Sequence, residues 1–238
     1  MRAWSGIVLV ACAEEAAVDP CAGEDALAAC SAPVMSDEHY AGVSSWYFDT
    51  MDRTAVIEGP PPYSELVARW EWPPWLKLTA FGRENILSTD ALLRLYPSVV
   101  LERDCRAFDV QPFGRCRVVF YYDDHEGRGC PIYEEFTFND AGEVTFIEAW
   151  SDLPGLLPMP ADDPWAEGPD VDRLSARVPG LGTATGLIDL DGAAMTAAAS
   201  TDPVLADFVT RAQDWYGTWS AELAASGGDA MWEVGCGW

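Results

Sequence analysis

Glu134 lies in the run Ile132-Tyr133-Glu134-Glu135-Phe136-Thr137-Phe138, where alternation puts Ile132, Glu134, Phe136 and Phe138 on one face of a strand and Tyr133, Glu135 and Thr137 on the other. A carboxyl on an apolar face has its own chemistry. A glutamate starts near pKa ~4.3, and an apolar, aromatic wall raises it by several units, which keeps the group protonated and able to donate a hydrogen bond. A second acid, Glu71, lies in the extended segment Arg69-Trp70-Glu71-Trp72, and Tyr40 and Tyr47 offer phenols from a predicted helix. Such a set suits proton transfer beside a carbonyl, or polar anchoring of a bound molecule. The structural alternative for Glu134 is an ion pair with an arginine such as Arg117 on the neighbouring strand. His125, in an Asp-Asp-His-Glu-Gly turn, reads as a solvated loop histidine, whereas His39, near the start of the first helix, stands within reach of a pocket mouth. No Cys-x-x-Cys pair, nucleophile triad or phosphate loop occurs, so neither a metal nor another cofactor is expected.

The cysteines bear on location. Met1 to Ala11 holds one basic residue, Arg2, and the apolar run Ile7 to Ala11 stops at Cys12, so Leu9-Val10-Ala11-Cys12 resembles a bacterial lipoprotein box in which Cys12 takes the lipid. The segment is shorter than the ~15–30 residues of an ordinary secretory signal. It reads as a truncated one, the alternative being the plain N-terminus of a cytoplasmic protein. The other cysteines, Cys21, Cys30, Cys105, Cys116, Cys130 and Cys236, are even in number and suit disulfides. Cys21 and Cys30 enclose a small acidic loop and are expected to pair, Cys105, Cys116 and Cys130 lie around the hairpins, and Cys236 is available to tie down the C-terminus. The expected location is the cell envelope, with a membrane contacted only through that lipid.

The elements that position these groups follow from pattern. Residues 1–35 read as signal and spacer. Ser36-Asp37-Glu38 supplies an N-cap and an acidic first turn, and Tyr40, Val43, Trp46 or Tyr47, and Met51 give a helical stripe. A short second helix is expected over Tyr63 to Ala68, an extended stretch over Arg69 to Trp72, and a third helix over Arg83 to Leu95. Strands are expected at Val99 to Val110, Cys116 to Asp123, Ile132 to Phe138 and Val144 to Trp150. In the last of these Val144, Phe146, Glu148 and Trp150 share a face unless a bulge shifts the phase. Residues 153–200 are Pro- and Gly-rich and read as a wrapping segment. Asp202-Pro203 then opens a helix with Leu205, Phe208, Val209, Ala212, Tyr216, Trp219 and Leu223 on one stripe. Asp and Glu number 39 against 14 Lys and Arg, a net charge of −25, which disfavours nucleic acid as a partner.

Three runs carry a resemblance. Gly82-Arg83-Glu84-Asn85-Ile86 resembles the opening of helix three, Phe138-Asn139-Asp140-Ala141-Gly142-Glu143-Val144 the last hairpin, and Glu148-Ala149-Trp150-Ser151-Asp152 the last strand of the nuclear transport factor 2 superfamily, within it the ketosteroid isomerase and polyketide cyclase type. The resemblance covers about residues 36–155. It implies an α+β fold: a cone-shaped curved antiparallel sheet packed on three N-terminal helices, here followed by an extended C-terminal segment from residue 156 that ends in an amphipathic helix. It also implies a homodimer through the sheet. In the isomerases a general base, an Asp before a Pro, precedes the Gly-Arg-Glu motif, and an acid on the penultimate strand donates to the developing oxyanion. Here the first position holds Trp72, with Glu71 beside it, while the second falls on Glu134.

Two functions follow. One is a noncatalytic or accessory pocket domain for a small apolar or aromatic molecule, lined by Tyr40, Tyr47, Trp72, Tyr121, Phe136 and Trp150. The other is a divergent isomerase, cyclase or dehydratase using Glu134 or Glu71 for proton transfer, with Tyr40 or Tyr47 as hydrogen-bond donor.

Overall fold

The computed structural model describes residues 32–72, 80–95, 98–122, 126–168, 171–178, 189–207, 209, 210, 213 and 236. Helix α1 (Asp37–Tyr47) starts where its cap chemistry places it: the Ser36 side chain accepts the His39 N–H at 3.3 Å, and Asp37 and Glu38 occupy the first turn. Tyr40, Val43 and Tyr47 are buried, and a 3-10 turn (Phe48–Thr50) carries the stripe on to Met51. Helix α1 lies directly on the sheet. A Cβ at Gly114 would stand 2.3 Å from Ser44 Oγ, so the position needs glycine.

The expected second helix is instead the first half of a strand. Strand β1 (Tyr63–Glu71) pairs antiparallel with the short β2 (Ala80–Phe81) and parallel with β6 (Val144–Ser151). On β1 the stretch from Tyr63 to Ala68 spans only Val144 to Phe146 on β6. That irregularity breaks the two-residue alternation where Tyr63, Leu66 and Val67 mimic helical spacing, and the ladders to both neighbours override the local pattern. Helix α2 (Arg83–Leu95) falls where its pattern predicts, and Arg83 ties it to β1 through the Tyr63 carbonyl at 2.8 Å and Glu65 at 2.5 Å.

Strands β3 (Ser98–Ala107), β4 (Gly114–Tyr122), β5 (Gly129–Phe138) and β6 form the expected antiparallel meander. The strand order is β2-β1-β6-β5-β4-β3, an open six-stranded sheet with β2 and β3 at its edges. It is mixed rather than wholly antiparallel, because β1 and β6 run in the same direction. A register shift at Thr137–Phe138 turns Val144 inward while Phe146 and Trp150 point outward. The single-face reading of Val144, Phe146, Glu148 and Trp150 therefore fails at its first residue.

Each face of the sheet carries its own core. Under α1 and α2 lie Tyr40, Tyr47, Phe48, Phe113, Phe120, Phe136 and Phe138, with the Tyr47 and Phe136 rings edge to face at 5.2 Å. Each fully buried side chain of this size is worth ~1.5–3 kcal/mol. On the outer face Trp70, Trp72, Tyr133, Phe146 and Trp150 are covered by Met159, Val171, Leu174, Val178, Met195 and Leu205. The wrapping segment thus closes over the outer face, and its described residues include two helices that its Pro- and Gly-rich sequence hides, α3 (Leu174–Arg177) and α4 (Ala193–Ala199). Residues 203–207 begin the expected C-terminal helix. Phe208, Ala212, Tyr216, Trp219 and Leu223 of its stripe lie outside the described residues.

Among the described residues two disulfides staple the fold. Cys105–Cys116 joins directly opposed residues of β3 and β4, and Cys130–Cys236 bridges 106 positions, bringing the chain end back to the inner core. By loop length the first is worth ~3 kcal/mol and the second ~4–5 kcal/mol. They fit an oxidising, exported environment. Among the described residues no helix is long and apolar enough to cross a membrane. Cys12, Cys21 and Cys30 lie outside the described residues.

Candidate functional site

Arg69 lies on the inner face of the sheet, on β1. On β1 the alternation Val67, Arg69, Glu71 faces the helices, so a guanidinium enters the core with no exposed surface. Its Nη1 donates to Asp90 Oδ1 at 2.6 Å and to the Tyr47 hydroxyl at 2.8 Å. Asp90 comes from α2, where Ile86, Asp90 and Arg94 are four residues apart and share a helix face. Its Oδ2 lies 3.1 Å from Thr50 Oγ1 and accepts the Tyr63 hydroxyl at 3.3 Å. Burial pushes the Asp90 carboxyl above the usual aspartate range, and the Arg69 guanidinium opposes that push.

Glu134 stands behind Tyr47. It is 3% exposed on the face shared with Ile132, Phe136 and Phe138, as the alternation predicts. Burial pushes its carboxyl up to about 8, against the attraction of Arg69; Glu71 adds a like-charge push, and a hydrogen bond with Tyr47 works the other way. Among the described residues its Oε2 has no hydrogen-bond partner. It therefore holds its proton more tightly than a free glutamate does, beside the Arg69 guanidinium. Arg117, the partner considered from sequence, instead binds Asp152 at 2.8 Å.

The six expected lining residues divide. Tyr40, Tyr47 and Phe136 share the inner core with Glu134, whereas Trp72 and Trp150 lie in the outer one. Tyr121 is half-exposed, its hydroxyl on Glu102 at 2.5 Å, while Phe120 and Tyr122 on either side of it enter the inner core. The six therefore do not share one face of the sheet. His39 holds the β5–β6 turn, its Nε2 2.9 Å from the Gly142 carbonyl, and Tyr40 accepts the Val34 and Met35 N–H groups. His125 lies outside the described residues.

The outer face has a polar network of its own. Trp72 Nε1 donates to Glu148 Oε1 at 2.6 Å, and the Leu174 N–H donates to the same oxygen at 2.7 Å. Burial pushes the Glu148 carboxyl up to about 8 against those two bonds. Beside it Glu135 is held by Arg115 Nε at 2.8 Å and by Arg173 Nε at 2.7 Å, and Arg115 also reaches the Pro164 and Ala166 carbonyls. Every one of these bonds runs between sheet and wrapping segment, or braces one that does. The network holds the cover down.

An open space adjoins the inner network. A cleft of about 300 Å³ is lined by Thr50, Ile57, Glu58, Gly59, Pro60, Leu87, Asp90, Ala91 and Arg94. It sits between the 3-10 turn, the loop after it and α2, with Asp90 joining it to Arg69. Sequence reasoning missed Arg69, Asp90 and Arg94 as site residues. The signal was a charged group at core spacing, Asp90 four residues after Ile86 and Arg69 two after Val67. Among the described residues no group of acids, histidines and cysteines could hold a metal. No protein-family model and no curated protein sequence matches the chain.

Proposed function

We propose that the chain is a noncatalytic, small-molecule-binding pocket domain of an exported protein, of the cone type that its Gly82 and Phe138 motifs resemble. What supports this most is the cleft against Asp90, because its polar floor is already occupied. Asp90 accepts from Arg69 and Tyr63 with Thr50 beside it, and a general base must keep a lone pair turned to its substrate. The walls of Ile57, Pro60, Leu87 and Ala91 suit a small apolar or aromatic molecule, and the volume lies at the lower end of ligand pockets. A lipid on Cys12 would hold such a domain at the envelope.

The test is titration with N-phenyl-1-naphthylamine, a neutral apolar fluorophore. Saturable binding by the wild type that Ala91→Trp abolishes supports the reading, since Ala91 is an exposed residue of the cleft wall that belongs to neither core. Equal binding by both proteins defeats it.

Glu134 favours a second reading. A carboxylic acid held protonated, with one oxygen unpartnered among the described residues, is the group an isomerase needs to donate to a developing oxyanion, and Glu71 shares its face. Such an enzyme would exchange the α-hydrogens of cyclohexanone into D2O faster than Glu134→Gln does. Equal rates remove this alternative.

A further inference from the structure

Arg94 gives the cleft a preference among ligands. The charged lining residues are Glu58, Asp90 and Arg94. The charge of Asp90 is balanced by Arg69 at 2.6 Å, and Glu58 is exposed, so water screens it. Arg94 is half-buried, and its partners are neutral: Nη1 donates to the Asp49 carbonyl at 2.8 Å and Nη2 to the Ala55 carbonyl at 2.6 Å. The Asp49 carboxylate is taken by Arg103 at 2.5 Å. Among the described residues no carboxylate lies within ion-pair distance of Arg94, and its two hydrogen-bond partners are backbone carbonyls. A guanidinium has about five N–H donors, of which these two bonds use only a part. Because both carbonyls fix the side chain in advance, a ligand that meets it loses little to ordering the site.

We infer that the cleft takes a small molecule with an apolar or aromatic body and a single carboxylate, the body against Ile57, Pro60, Leu87 and Ala91 and the carboxylate on Arg94. This rests on the pocket reading above and adds the ligand class. A carboxylate accepts charge-assisted hydrogen bonds from the guanidinium N–H groups that the two carbonyls leave over. A phosphate or a dicarboxylate fits less well, because one arginine offers it too few donors and the chain's net charge of −25 repels a second negative charge. The carboxylate stays outside the Arg69–Asp90 pair.

The experiment compares 4-phenylbutyrate with its neutral isostere 4-phenylbutyramide, titrated into the full chain by calorimetry at pH 7.5 in low salt and again in 0.5 M salt. The wild type binds the acid at least about tenfold more tightly than the amide. That advantage shrinks in high salt, disappears in Arg94→Gln and survives in part in Arg94→Lys. Ala91→Trp loses both ligands. If the amide binds as tightly as the acid, the carboxylate assignment is wrong while the pocket stands. If neither ligand binds, both readings fall. The acid-to-amide ratio is read on the unmodified protein, so it holds even where Arg94→Gln fails to fold.

Discussion

Arg69 carries a charge with no exposed surface, and the groups around it fix what Glu134 and Asp90 can do. Removing one partner of a buried pair leaves the other charge stranded at ~3–5 kcal/mol. Arg69→Met is therefore expected to lose stability of that order in urea unfolding, and Arg69→Met with Asp90→Leu to recover part of it, a coupling that a double-mutant cycle measures. The two raised acids act in the opposite sense from an ordinary salt-bridged carboxylate. Glu134 and Glu148 hold their protons in the folded chain up to about pH 8 and release them in the unfolded chain above ~4.3. The folded state thus binds more protons across that window, and stability is greatest below it and falls as pH rises through it, by on the order of 1 kcal/mol per pH unit for each group. Glu134→Gln should flatten the slope, and at pH 9 it should melt above the wild type. A wild-type melting temperature independent of pH between 5 and 8 would contradict the buried-acid assignment. At this scale the sequence was informative where periodicity was clean. The alternation around Glu134 placed it on the inner face, but its neighbours Arg69 and Asp90 come from elements far apart in the chain, and no local pattern pairs them.

At the scale of elements, the cover over the outer face hangs on Glu135 and Glu148. Arg173 and the Leu174 N–H at the start of α3 bind these acids, and Arg115 reaches the Pro164 and Ala166 carbonyls from the sheet. Glu135→Ala should cost ~3–5 kcal/mol by leaving two buried guanidinium groups unpaired. It should also open residues 153–178 to limited proteolysis before the sheet unfolds, whereas cleavage no faster than in the wild type would show that apolar burial alone secures the cover. The elements legible in advance were those with one dominant signal: α1 with its Ser36 cap, α2, and the four strands of the meander. Strand β1 was misread because the irregularity between Tyr63 and Ala68 disguises a two-residue period, and the bulge at Thr137–Phe138 moved Trp150 to the far face from Glu134. Bulges depend on the partner strand, which local sequence does not contain.

For the molecule as a whole, the apolar outer face through which a sheet-to-sheet dimer would form is covered by the chain's own residues, among them Met159, Leu174 and Leu205. Light scattering should accordingly report a monomer near 25.9 kDa. The Cys130–Cys236 disulfide fixes residue 236 at the inner core, while Met159, Leu174 and Leu205 pack on the outer face. With both faces packed, the cleft beside Asp90 offers a ligand room among the described residues. Native mass spectrometry of the wild type and Ala91→Trp, each purified from the protein's own host, tests that claim most directly. A retained small molecule is expected on the wild type and not on Ala91→Trp; a bare wild type, or an adduct carried equally by both proteins, would overturn the pocket.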